Sequence, residues 1–133
     1  MTGGPGVRID SGSSFEEQIG YSRAVRSGDH VYVSGTTGFD YFTMTIAEGV
    51  VEQAEQAIRN IEAALTLAGC TLADVVRIRY LLADRADFEP CWPTLRRAFG
   101  EIRPAATMMV CGLADPRMRI EIEVDATVAP TPR

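Results

Sequence analysis

The chain has 133 residues, a formal net charge of −5 at pH 7, 46% hydrophobic and 23% charged residues. That is enough for one soluble, globular domain with one core, read as spanning residues 1–133, and the acidic balance disfavours binding to nucleic acid, which runs on phosphate neutralisation. All thirteen basic residues are arginine, which excludes a lysine Schiff base, a pyridoxal-phosphate lysine and a P-loop lysine.

Residues 1–6 and 129–133 are rich in glycine or proline and are expected to be mobile tails. Residues 7–10 suit a short edge strand, and Gly12-Ser13-Ser14 a turn or loop. Residues 21–25 and 30–36 predict a β-hairpin around Ser27-Gly28-Asp29. On its second strand Val31 and Val33 share one face, and His30, Tyr32 and Ser34 the other. Thr45 and Glu48 have capping-box spacing and predict a helix from there to Ala68. Its apolar stripe is Ala47, Val50, Val51, Ala54, Ala57, Ile58, Ile61, Leu65 and Ala68, and Gly69 stops it.

Residues 75–82 predict a strand with Arg77 and Arg79 opposite Val76, Ile78 and Tyr80. A second helix is expected from about Pro90 to Gly100, its prolines tolerable in the first turn. Two strands close the chain, 102–113 and 119–128, joined by a short connection. The last alternates cleanly: Ile120, Ile122, Val124, Ala126 and Val128 face a core, while Glu121, Glu123, Asp125 and Thr127 face water, a ligand or another subunit.

No apolar run approaches the ~20 residues that span a membrane. The beginning of the sequence has neither a basic nor an apolar region, so no secretory signal is expected. Cys70, Cys91 and Cys111 are odd in number and widely spaced, which suits free thiols, a reducing, cytoplasmic setting and a role as small core hydrophobes. With His30 the lone histidine, a zinc site and a Cys–His nucleophile are both disfavoured.

Several stretches fall in a familiar order: Tyr21 after Gly20, Val33-Ser34-Gly35, residues 60–69 at the end of the long helix, Asp74-Val75-Val76-Arg77, Phe88, Phe99, Arg103-Pro104-Ala105, Gly112-Leu113 and Ile120-Glu121-Ile122-Glu123. In this the chain resembles the Rid family (YjgF, RidA or endoribonuclease L-PSP) over about residues 20–128. The resemblance implies an α+β, chorismate-mutase-like subunit of order (β)ββ-α-β-α-ββ, with two helices packed on one face of one sheet. It also implies a homotrimer around a closed barrel, with small-molecule pockets between subunits. The implied chemistry is hydrolysis of enamines or imines to a 2-keto acid and ammonia, with no metal and no organic cofactor.

Carried over position by position, Tyr21 stands at the family's pocket tyrosine, Ser34 and Gly35 at its serine–glycine pair, and Glu121 at its pocket glutamate. Three positions depart. Ala106, followed by Thr107, stands where Pro-Ala-Arg supplies the arginine that forks onto a substrate carboxylate. Trp92 stands at the pocket asparagine, and Thr36 at a frequent glutamine. The segment between Pro104 and Leu113 also reads one residue short. Losing a sheltered arginine–carboxylate fork costs about 2–4 kcal/mol of binding, or roughly 30- to 1000-fold.

Arg103, Arg117 and Arg119 are candidates to replace that arginine, although regular strand geometry points Arg103 away from Ala106. Glu121 is read either as a general acid/base or as a carboxylate paired across a subunit interface. Tyr21 is either a ligand donor or a packed interface aromatic, and Trp92 a pocket wall or plain packing. Two functions follow: hydrolysis of an enamine or imine other than an ordinary 2-imino acid, or small-ligand binding without catalysis. Ribonuclease activity finds little support in an acidic chain with one histidine.

Overall fold

A computed structural model describes residues 6–128. Gly6 apart, the tails expected to be mobile lie outside the described residues. Six segments form one sheet: β1 (Val7–Ile9), β2 (Ala24–Ser27), β3 (His30–Thr37), β6 (Val75–Leu82), β7 (Ala105–Val110) and β8 (Ile120–Thr127). Two short strands, β4 (Phe39–Asp40) and β5 (Thr45–Ile46), pair separately. The helices are α1 (Ser14–Ile19), α2 (Val50–Leu67) and α3 (Phe88–Phe99).

Strand order in the main sheet is β1-β2-β3-β8-β6-β7. β7 runs parallel to β6, with α3 as the crossover, and the other pairings are antiparallel. The two closing strands joined by a short connection are therefore not neighbours, because β6 lies between them.

The alternation along β8 is realised as expected: Ile120, Ile122, Val124 and Ala126 are buried and the acidic positions half-buried. The buried face meets α2, whose buried residues Val50, Ala54, Ala57, Ile58, Ile61, Ala64 and Leu65 recur at the helical period. Gln53, a polar side chain, sits fully buried in that stripe. Its amide nitrogen donates to the carbonyls of Ala47 (2.8 Å) and Arg117 (2.9 Å), and its oxygen accepts from the Arg119 amide (2.8 Å). The glutamine thus ties α2 to the segment that enters β8. Asn60 makes a similar tie, donating to the carbonyls of Thr37 and Phe39.

Four local expectations are corrected. Thr45 and Glu48 do not cap α2: Thr45 pairs with Asp40 in the small hairpin, and the helix starts after Gly49, which offers no side-chain cap. Ser13 does not lie in a plain loop but caps α1, accepting from the Phe15 amide, and left-handed Gly20 ends that helix. α3 begins at Phe88, two residues before Pro90. Val76 does not share the core face with Ile78 and Tyr80, because a register shift between Val75 and Arg77 turns it outward.

Candidate active site and ligand cleft

Left-handed Gly20 reverses the chain after α1 and brings Tyr21 and Arg23 to the start of β2. Arg23 is 1% exposed and joins the predicted residues of this end of the sheet. Its guanidinium donates to the Gly35 carbonyl (2.7 Å), the Thr36 hydroxyl (3.2 Å), the Tyr21 hydroxyl (3.3 Å) and Ser11 (3.4 Å). It stacks on Tyr41, 4.4 Å from the ring centroid, and lies 3.6 Å from the buried carboxylate of Glu16. Glu16 in turn accepts from the Ser11 amide and hydroxyl. A buried cation is tolerated only when charge and donors are all met in this way.

Arg23 was not legible as a site residue, since one arginine ahead of a strand reads as a solvated charge. Its position two residues after Tyr21 is the signal that existed. Thr36 is fully buried, and its hydroxyl donates to the Ser34 carbonyl while accepting from Arg23. Ser34, half-buried, donates to the Ser22 carbonyl.

Glu121 lies against this cluster from β8. A methyl group placed on Gly35 would meet its Oε2 at 2.6 Å, so glycine is what lets the carboxylate rest on the β3 backbone. Burial pushes the Glu121 pKa up, Arg23 draws it partly back, and Glu123 adds to the rise. Burial likewise raises Tyr21, with Arg23 opposing. Because the Tyr21 oxygen accepts from Arg23, its own proton is free to be donated elsewhere.

Trp92, Ala106 and Arg103 gather in a second place. Ala106 is aligned with buried Ile78, on the helix side of the sheet, whereas Glu121 is aligned with Leu81 on the opposite side. β8 and β6 also separate β3 from β7, three strand spacings or about 14 Å. A single subunit therefore keeps these two groups of residues apart. Arg103 precedes β7 with a left-handed backbone (φ 53°), which frees it from strand alternation, and it lines the same 530 Å³ cleft as Ala106 and Trp92. Thr107, aligned with Arg79, lies on the face away from that cleft.

The other two candidate arginines are already engaged. Arg119 forks onto Asp87 (2.8 and 3.1 Å), and Arg117 onto Asp115 (2.8 and 3.0 Å), which holds the Asp115 carboxyl down to about 2. Among the described residues no group of three or more His, Cys, Asp or Glu is placed to hold a metal, and no helix is long and apolar enough to cross a membrane.

One antiparallel sheet extended by a parallel edge strand, with both long helices on one face, defines a chorismate-mutase-like α+β subunit. Solved proteins share it closely. The crystal structure of Rv2704 from Mycobacterium tuberculosis, a member of the YjgF/YER057c/UK114 family, superposes with a TM-score of 0.83 at 43% identity, covering 92% of this chain and 98% of that one. TdcF from E. coli with bound serine gives 0.76 at 25% identity, covering 82% and 88%. A 2-iminobutanoate/2-iminopropanoate deaminase from Mus musculus is 37% identical over 113 residues, 83% of this chain and 82% of that protein. Residues 12–128 match the endoribonuclease L-PSP family. The chain belongs to that family, the Rid or YjgF proteins.

Proposed function

We propose that this chain is a cofactor-independent hydrolase of the enamine/imine deaminase type, working in the cytoplasm as a homotrimer whose clefts lie between subunits. Its substrate differs from ordinary 2-imino acids. The observation that carries the reading is Glu121, a carboxylate with a raised pKa held against the Gly35 backbone within the field of Arg23. A carboxylate tuned toward neutrality is suited to general acid/base work. In the proposed reaction Glu121 takes a proton from water as the water oxygen bonds to the carbon of a protonated imine and the C=N π pair returns to nitrogen, giving a neutral amino-alcohol. Glu121 then gives that proton to the nitrogen, the C–N bond breaks as the hydroxyl oxygen forms the carbonyl, and ammonia carries off the hydroxyl proton as ammonium. Tyr21 donates to the oxygen that becomes the carbonyl. The two groups of residues kept apart in one subunit support an assembly in which β3 and β8 of one copy face β7 and α3 of another. Relatives named as deaminases support the reaction class.

Small-ligand binding without turnover is the second reading, favoured by Ala106 and Trp92 in place of the family's arginine and asparagine. The test is hydrolysis of 2-imino acids generated in situ by an amino-acid oxidase, with wild type run beside Ala106→Arg. The expected outcome is little wild-type turnover and a gain in Ala106→Arg, showing an intact catalytic frame with a changed clamp. Ready wild-type turnover of iminopyruvate would overturn the altered-substrate reading. Two inert proteins would move the binding reading ahead.

A further inference from the structure

The cleft between α3 and the β6–β7 edge is walled by aromatic rings in contact. Tyr80 and Phe88 lie 5.7 Å apart between centroids, and Phe88 meets Trp92 edge-on at 6.0 Å. Trp92 remains 50% exposed, a large apolar surface left open inside a concavity of 530 Å³. Tyr80 is 7% exposed, and among the described residues its hydroxyl has no hydrogen-bond partner although the ring lines the cleft. Arg96 and Arg103 line it too. Among the described residues neither guanidinium has an ion pair or a side-chain hydrogen bond, in contrast to Arg117 and Arg119.

An aromatic wall, a tyrosine hydroxyl still open to a partner and two uncommitted guanidiniums are complementary to one kind of molecule. We infer that this cleft binds a small aromatic carboxylate, its ring against Trp92 and Phe88, its carboxylate held by Arg103 and Arg96, with Tyr80 donating a further hydrogen bond. Arginine is suited to both parts, since it forks onto carboxylates and stacks on aromatic faces. The inference rests on the small-ligand reading of this cleft but not on hydrolysis. If turnover occurs, the substrate class narrows to imino acids with an aromatic side chain, distinct from small ones such as iminopyruvate, and phenylpyruvate has the form of their product.

Trp92 is the one tryptophan of the chain, so its fluorescence reports on the cleft. Phenylacetate is titrated against intact protein beside phenylacetamide, which keeps the ring without the charge, and acetate, which keeps the charge without the ring. Saturable quenching by phenylacetate, at least tenfold tighter than by either control, is the expected result. Arg103→Ala and Arg96→Ala should each weaken phenylacetate about 10- to 100-fold, and Tyr80→Phe about 3- to 10-fold, while Arg97→Ala leaves it unchanged. Equal binding of phenylacetamide would overturn the inference on wild-type protein alone, whatever the variants do. Phenylacetate binding unmoved by Arg103→Ala would also overturn it. Phenylacetate binding with no imine turnover leaves this inference standing and removes the hydrolase reading. Turnover of small imino acids without phenylacetate binding does the reverse.

Discussion

Glu121 disfavours the folded state at neutral pH if its charge is kept, because burial raises its folded pKa above the unfolded one. The sign follows from linkage. The carboxyl's favourable contribution is fully present below the unfolded value of about 4.3 and is lost as pH rises through the folded value. Glu121→Gln should therefore melt higher than wild type at pH 7.5, and the difference should vanish near pH 4; thermal melts at both pH values check this. The same substitution should abolish any hydrolytic activity. Arg23 acts in the opposite sense on Glu121 and also anchors Glu16. Arg23→Gln leaves a buried carboxylate without its cation, so a loss of about 3–5 kcal/mol is expected in urea titrations. The thiols divide by burial as well. Cys70 and Cys91 are buried, and Cys91 is pushed up to about 11, whereas Cys111 is half-buried. In native protein a thiol-directed reagent should label Cys111 first, and mass spectrometry finding Cys91 modified first would contradict the fold around α3.

α2 reaches the sheet at close range where Gly38 meets it. A Cβ on Gly38 would lie 2.5 Å from the Gln53 Cα, a contact with backbone that cannot move aside. Gly38→Ala should cost about 1–3 kcal/mol, the usual range for overpacking, lowering the denaturation midpoint with little change in slope. α2 and β8 were legible in the sequence because each carries an uninterrupted period, 3.6 in one and 2 in the other. Elements governed by contacts distant in sequence were not. Thr45 has the spacing of a cap, yet Asp40 claims it for a strand pair. Ser13 and Glu16 have that same spacing at α1, but the Glu16 carboxylate turns to Ser11 and Arg23 instead of closing the box. Val76 is displaced by a bulge that no local pattern announces. Tyr21, Ser34, Gly35 and Glu121 could be nominated as candidates by resemblance, and the structure puts Tyr21, Gly35 and Glu121 around Arg23. Arg23 could not, because only the tertiary meeting of Tyr41, Glu16 and Gly35 makes its burial tolerable.

At the level of the molecule, β7 is an edge strand exposed along its whole length, with Met108, Met109 and Val110 each more than a third open. An unpaired, partly apolar edge is a template for pairing with another chain, and edges in monomers are normally shortened, charged or covered. β7 carries no charged residue. The opposite face of the sheet holds Arg79 beside Glu123 (3.0 Å) and Asp125 (4.0 Å), a polar surface suited to the inside of a barrel. In the proposed assembly, self-association through this edge is what brings α3 and β7 of one copy toward Glu121 of another. Light scattering at micromolar concentration is expected to give three times the chain mass. Met109→Arg places a charge on the face shared with Leu81 and Glu121, and should shift the protein toward monomer. If the active cleft lies between copies, activity should fall in parallel with trimer content across a dilution series. Wild type that is monomeric yet active would place the whole reaction within one subunit, where Glu121 and the aromatic cleft lie on opposite sides of the sheet, and would refute the shared-site arrangement.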